Sequence, residues 1–214
     1  MVVVASIFRD ASSYIDRYFE QIARLRDLIP LTLHIAEGDS SDDSWNLLAD
    51  RVQDTDWLYQ INHGGRAFKS VDNPERWNQI ATVWNTLLDK LPQDGPLILV
   101  EADLIWRPET MTRLLANLEM DEVDACAPQS LQGDRFYDTW GYRWPNGEKF
   151  ATEPLVPEAR LHRISSAGSC IAMKPDVYRD CRFGENDGIV GFWRDAHFKD
   201  YELWIDPTVA VEHP

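Results

Sequence analysis

A mixed α/β fold around a mostly parallel sheet is what this chain predicts, on three observations. Short apolar runs alternate with amphipathic stretches of helical period up to about Pro128. The runs are continuously apolar, as strands covered on both faces must be. Acidic residues gather where several of those runs stop, the edge at which sheets of this Rossmann-like kind bind their ligands.

In chain order, Val2 to Ile7 reads as a buried strand, and Tyr14 to Leu28 as a helix that Ser12 or Ser13 is placed to cap. Leu31 to Ala36 gives a second strand. The turn Glu37-Gly38-Asp39-Ser40-Ser41-Asp42-Asp43 feeds a helix over Ser44 to Arg51. Trp57 to Ile61 is a short third strand, Asn73 to Leu91 a long amphipathic helix, and Leu97 to Val100 a fourth strand. A helix opening at Pro108 runs to Leu118, where proline's fixed φ suits a first turn, and Val123 to Pro128 closes the regular half as a strand. The second half changes character. Gln129 to Pro157 is rich in aromatic, Gly, Asp and Asn residues without helical period and reads as loops and a hairpin beside the crevice. Leu161 to Met173 looks extended, Pro175 to Arg179 and Asp187 to His197 helical, and Thr208 to Val211 forms a last strand before His213.

With 214 residues and a 44% hydrophobic share, the chain supplies the core of one domain, 1–214. Its formal charge of −15 argues against nucleic acid or an anionic membrane as partner, while leaving room for a local basic pocket. No stretch approaches the roughly twenty apolar residues of a membrane span, and Met1 leads into Val-Val-Val-Ala rather than a basic and then apolar leader. A soluble, cytoplasmic protein is expected. Cys126, Cys170 and Cys181 have neither C-x-x-C spacing nor an even count, and read as buried thiols. Nine tryptophans, several beside polar residues as in Trp140 to Trp144, suit sugar faces, with ordinary core packing as the alternative.

The chemistry centres on Glu101-Ala102-Asp103, which ends the run Leu-Ile-Leu-Val and is soon closed by Pro108. Side chains two apart on an extended chain point the same way, so both acids can face one crevice. Oxygen ligands of this kind suit magnesium or manganese, which in turn hold the phosphates of a nucleotide. The alternatives are a solvated loop and, for Asp103, a capping acid before the helix. Neither a G-x-G-x-x-G nor a Walker sequence is present, so dinucleotide and P-loop readings lose their main support.

Several blocks resemble the GT-A class of nucleotide-sugar glycosyltransferases, more narrowly the fungal mannan-polymerase and capsule-type mannosyltransferases. Ala36-Glu37-Gly38-Asp39-Ser40-Ser41-Asp42 looks like the family's acidic turn, and Glu101-Ala102-Asp103 with Pro108 like its D-x-D segment, Glu101 standing for the usual first aspartate. Ser166-Ala167-Gly168-Ser169 running to Met173-Lys174-Pro175-Asp176-Val177 resembles a small-residue strand and K-x-D-V turn. Glu185-Asn186-Asp187-Gly188-Ile189 resembles an E-T-E-G-F segment, and Val211-Glu212-His213 a terminal strand with its histidine. The blocks occur in family order along nearly the whole chain.

The resemblance implies a GT-A domain whose residues 1–128 bind the nucleotide sugar and whose residues 129–214 face the acceptor and complete the metal site. Asp103, His213 and Glu101 would hold Mn2+ or Mg2+, Glu101 either directly or through water and ribose. Ala5, Ser6, Arg9 and Ala102 would neighbour the nucleoside. Glu37 can accept from a base or ribose, with Asp39 and Ser40 shaping the turn. Arg66, Lys69 and Arg76 offer cations to a diphosphate, although Arg76 could pair with Glu75 or Asp72 instead. Asp187, with Glu185 beside it, is the candidate catalytic carboxylate, with helix capping as the alternative for Asp187. Gly168 and Ser169 would let the donor sugar approach the backbone, and Tyr137, Asp138 and Trp140 form an acceptor-side group. The implied reaction is metal-dependent transfer of a hexose from a UDP- or GDP-sugar to a hydroxyl acceptor on a glycan or similar molecule, with retention; an Asp187 acting as base would suit inversion. The rivals are a nucleotidyltransferase on a sugar phosphate and a non-catalytic sugar-binding module.

Overall fold

The computed structural model describes residues 1–64, 73–184 and 187–214. The expected donor-side cations Arg66 and Lys69, and Glu185 of the candidate catalytic pair, lie outside the described residues.

Strands β1 (Val2–Phe8), β2 (Leu31–Glu37), β3 (Trp57–Gln60) and β4 (Leu97–Val100) form a parallel block in the order β3-β2-β1-β4. Helices α1 (Ile15–Arg26), α2 (Ser44–Arg51) and α3 (Pro74–Leu88) provide its crossovers, and α4 (Pro108–Asn117) follows β4. The remaining strands are β5 (Ala125–Gln132), β6 (Arg135–Phe136), β7 (His162–Ile164), β8 (Cys170–Met173) and β9 (Leu203–Glu212), with α5 (Pro175–Asp180) and α6 (Gly188–Phe198) between the last two. The sheet continues β4-β8-β5-β9-β7, and β6 pairs with β5 as a hairpin. β8 runs antiparallel to both β4 and β5, so β1 to β5 and β9 share one direction while β6, β7 and β8 oppose it. Since β8 inserts between β4 and β5, the two halves of the sequence share a single sheet.

Strand alternation divides the interior. Leu97 and Leu99 join a cluster with Trp84, Tyr178 and Trp193 on the face covered by α3, α5 and α6. Ile98 and Val100 join Tyr18, Ile22, Met111 and Leu114 on the face covered by α1 and α4. All three cysteines are buried free thiols, as expected, and burial pushes the Cys126 thiol up to about 12, leaving it inert. Among the described residues, no helix is long and apolar enough to cross a membrane.

Three local expectations need correction. Neither Ser12 nor Ser13 caps α1: Tyr14 occupies that position with no side-chain cap, and the Ser12 N–H donates to Asp42 instead. Leu161 to Met173 is not one extended piece, because β7 pairs with β9 whereas β8 pairs with β4 and β5. β9 begins at Leu203, not Thr208. Pro207, which reads as a strand breaker, is absorbed by a register shift against β5: Pro128 pairs with Asp206, and the next pair is Gln129 with Ala210.

Candidate functional site

β1, β2 and β4 stop side by side, and their exits carry Arg9-Asp10, Gly38-Asp39 and Glu101-Ala102-Asp103. Two cavities open there. The first, of about 410 Å³, is lined by Arg9, Asp10, Tyr14, Gly38 and His63. The second, of about 610 Å³, is lined by Tyr137, Asp138, Trp140, Ser169, Ile189 and His213. Arg76, Ile80, Glu101 and Asp103 belong to both, so the paired acids stand at the seam.

α3 presents neighbouring stripes to the two chambers. Gln79 and Val83 line the first alone, Trp77 and Trp84 the second alone, and Arg76 and Ile80 border both. Asn73 starts this helix by accepting the Glu75 N–H at 2.9 Å, with Pro74 in the first turn. Sequence reasoning missed Trp77, Gln79 and Tyr14 as lining residues. The 77, 80, 84 spacing was a usable signal, but at helical period it reads as core.

The acids are joined by a histidine from the far end of the chain. The Ile105 and Glu212 backbones exchange hydrogen bonds of 2.8 Å in both directions, which stitches the loop after β4 to the end of β9. The His213 N–H then donates to Leu131 O at 2.7 Å, and its ring packs on Tyr137 with centroids 4.1 Å apart. This places His213 Nδ1 3.8 Å from Asp103 Oδ2 and Nε2 3.9 Å from Glu101 Oε2. One ligand atom from each of the three residues lies within 4.8 Å of the others. An octahedral ion with bonds of about 2.1 Å separates its ligands by roughly 3 to 4.2 Å, so these two carboxylates and one imidazole fit Mn2+, and Mg2+ less well, after small side-chain movements. Burial and the neighbouring Glu101 raise the Asp103 pKa. For His213 burial works against protonation, but the Glu101 and Asp103 carboxylates outweigh it and raise the pKa. Asp103 caps no helix, since Arg107 occupies the N-cap of α4.

At the first cavity several residues sit one or two positions from where sequence placed them. Ala5 and Ser6 are fully buried inside β1, with Ser6 Oγ 2.6 Å from the Tyr18 hydroxyl, and the cavity wall is made by Ile7, Phe8 and Arg9. Glu37 is buried below the wall, which Gly38 forms. Its Oε1 accepts the Ser40 N–H at 2.7 Å, so Glu37 shapes the turn, while its Oε2 is buried with no hydrogen-bond partner. Asp39, at φ 53°, accepts the His63 and Gly64 N–H groups at 2.6 and 2.9 Å. A Cβ on Gly38 would come within 2.9 Å of His63 Nε2, which explains the glycine.

In the second cavity, Asp138 Oδ1 accepts the Gly141 N–H at 2.8 Å, and Oδ2 accepts the Ser169 hydroxyl at 3.2 Å. Burial pushes its pKa up to about 6. Trp140 and Trp77 pack at 5.1 Å between ring centroids with 33° between their planes. Tyr137 and Trp140, at 44% and 36% exposure, leave ring surface open for a ligand. Asp187 departs from its expected place. Gly188 and Ile189 line the cavity but Asp187 does not. Its Oδ2 pairs with Arg194 at 2.5 Å, and its buried Oδ1 is directed between Gly184 and Gly191, where a Cβ on either would lie within 2.5 Å of it. Although it sits at the N-cap of α6, its side chain makes no capping bond.

No family model matches the chain, and no curated protein matches its sequence. Solved structures do. The mannosyltransferase PcManGT from Pyrobaculum calidifontis, in complex with GDP-Man and Mn2+, superposes with a TM-score of 0.66 at 16% identity, over 99% of this chain and 56% of that one. Residues 1–349 of S. aureus TarS, in complex with UDP-GlcNAc, give 0.65 at 12% identity over 99% and 57%. Glucosyl-3-phosphoglycerate synthase from Mycobacterium tuberculosis, in complex with Mn2+, UDP and phosphoglyceric acid, gives 0.56 at 14% over 95% and 66%. The chain thus spans a little over half the length of the first two. At these identities the likeness establishes the fold, which is that of GT-A glycosyltransferases.

Proposed function

We propose that this chain is a metal-dependent glycosyltransferase. It takes the nucleoside of a nucleoside-diphosphate hexose in the first cavity, sets the hexose across the seam in the second, and transfers it there to a hydroxyl acceptor. The observation that carries this reading is the Glu101, Asp103 and His213 cluster at the seam of the two cavities, two carboxylates and an imidazole where a diphosphate would cross from nucleoside to sugar. The neighbours solved with Mn2+ and UDP or GDP-Man support it. A divalent cation bound there supplies positive charge against the departing diphosphate.

The chain's own residues divide the remaining work. Arg76 borders both cavities and offers a second cation to the diphosphate. Tyr137 packs against the His213 ring with 34° between their planes, and Asp138 can accept a hydrogen bond from the acceptor hydroxyl. Retention is the finer reading the sequence blocks imply. Kinship with the fungal mannan-polymerase enzymes rests on the same blocks. A cytoplasmic location is supported by three free thiols.

The test is release of free nucleoside diphosphate from a panel of UDP- and GDP-hexoses, with Mn2+ or with chelator, by wild type and Asp103→Ala. Metal-dependent release from one donor, lost in the variant, establishes the reaction and identifies the hexose. Release of inorganic pyrophosphate from a nucleoside triphosphate and a sugar phosphate would overturn it in favour of a nucleotidyltransferase. Glycan binding that survives Asp103→Ala, without release from any donor, would make the protein a sugar-binding module.

A further inference from the structure

Ser169 carries a left-handed backbone, φ 59°, at a position that is 7% exposed. The Cys170 N–H donates to Gly168 O at 2.6 Å, closing a three-residue turn centred on Ser169. Turns of this kind with positive central φ are rare and strained, and a side chain at that φ normally gives way to glycine. Strain of this sort persists only where the surroundings impose it, and it gathers at functional sites. Ser169 touches both cavities' acids. Its carbonyl accepts the Glu101 N–H at 2.8 Å, fixing the chain where β4 gives way to the seam acids. Its hydroxyl donates to Asp138 Oδ2. The glycines around it serve the same contact, because a Cβ on Gly168 would lie 2.3 Å from Asp138 Oδ2 and one on Gly141 2.6 Å from it.

We infer that Ser169 is a positioning residue whose strained turn sets Glu101 at the seam and Asp138 in the second cavity together, holding the donor-side and acceptor-side acids in one register. The inference rests on the proposed reaction for its purpose, but its geometry can be tested without turnover. Relative to alanine, which loses the same hydroxyl bond, glycine would relieve a plain structural turn and leave function alone. A positioning turn would gain stability and lose function.

The experiment compares wild type, Ser169→Gly and Ser169→Ala by thermal unfolding, by Mn2+ titration followed by electron paramagnetic resonance without any sugar nucleotide, and by kcat and KM for the active donor. Ser169→Gly releases the strain and is expected to have a Tm about 2–4 °C above that of Ser169→Ala, which loses the same hydroxyl bond. It should also weaken Mn2+ binding at least threefold and lower kcat at least tenfold, with donor KM within twofold. Ser169→Ala keeps the strain, loses only the hydroxyl, and should lower kcat without raising Tm. A Ser169→Gly protein less stable than Ser169→Ala overturns the inference, since both variants lose the hydroxyl bond to Asp138 and glycine alone releases the strain. So does one that binds Mn2+ as tightly as wild type, whatever its Tm. If wild type binds Mn2+ but turns over no donor, the proposed reaction falls, and Ser169 is judged on Tm and Mn2+ affinity alone. If wild type binds no Mn2+, both fall.

Discussion

His213 Nδ1 lies 3.8 Å from Asp103 Oδ2, although one residue follows β9 and the other follows β4. Those strands are not neighbours in the sheet, since β8 and β5 stand between them. The meeting depends on the Ile105 and Glu212 backbone pair, which ties the loop carrying Asp103 to the end of β9 beyond the sheet's edge.

Metal binding should therefore weaken as pH falls. Only neutral imidazole ligates, and the two carboxylates raise the His213 pKa above its ordinary 6.5, so protonation competes with the ion already near neutrality. Mn2+ affinity, measured from pH 8.5 to 6, is expected to fall up to about tenfold per pH unit below that pKa. His213→Ala should bind more weakly at pH 8.5 and lose most of this dependence. A wild-type affinity flat across that range would remove His213 from the ligand set.

The Arg26 and Asp56 ion pair predicts a stability effect away from the site. Asp56 is fully buried at its side chain and also accepts the Leu33 and Gln53 N–H groups at 3.3 and 2.9 Å, joining the end of α1 to β2 and to the segment before β3. Arg26→Met leaves that carboxylate without its cation and should cost about 3 kcal/mol, read from the shift in urea midpoint at pH 7. A loss under about 1 kcal/mol would show that the two N–H groups suffice.

How much of this was legible in the sequence depends on what each feature is made of. The alternation of strands and helices, and the acids at the exit of Leu97–Val100, depend on residue type and local period, and both are present. The α2 bounds coincide with the expected Ser44 to Arg51 for the same reason. Ala5 and Ser6 fell short of the cavity because β1 runs on to Phe8, and a shift of one or two residues exchanges wall for interior. Asp187 was misplaced because nothing local shows that Arg194, later on the same helix, captures it. The Ser169 turn is invisible in Ser-Ala-Gly-Ser, since the backbone angle is imposed by Glu101 and Asp138 from other elements.

His34 predicts a pH effect on folding. Its ring is 1% exposed, stacked on Trp57 at 4.5 Å, and neither nitrogen has a hydrogen-bond partner. Burial lowers its pKa to about 4, so the folded ring stays neutral while the unfolded chain takes up a proton near 6.5. Its contribution is complete above pH 6.5 and is lost as pH falls toward 4, by roughly 3 kcal/mol in total. Asp138 acts oppositely in that window, because its raised pKa makes the folded state take up a proton first. The comparison must therefore be wild type against His34→Phe. The variant should lose less stability between pH 7 and 4.5, and parallel curves would overturn the assignment.

The aromatic wall of the second cavity predicts a split between the two substrates. Trp140 and Trp77 pack against each other, and both line the cavity that Asp138, Ser169 and His213 also border. Burying about 40–60 Å² of a sugar's apolar face on such a ring contributes about 1–1.5 kcal/mol, which corresponds to a factor of roughly 5 to 12 in affinity. Neither tryptophan lines the first cavity, so the nucleotide should not feel the change. Trp140→Ala should raise KM for a glycan acceptor by about that factor while leaving the nucleoside-diphosphate Kd and the Mn2+ affinity unchanged. The residue is partly exposed, so the substitution should leave folding intact, with Tm as the control. An unchanged acceptor KM would move the acceptor off this wall. A weaker nucleotide Kd would mean instead that the nucleoside diphosphate itself reaches the tryptophan wall.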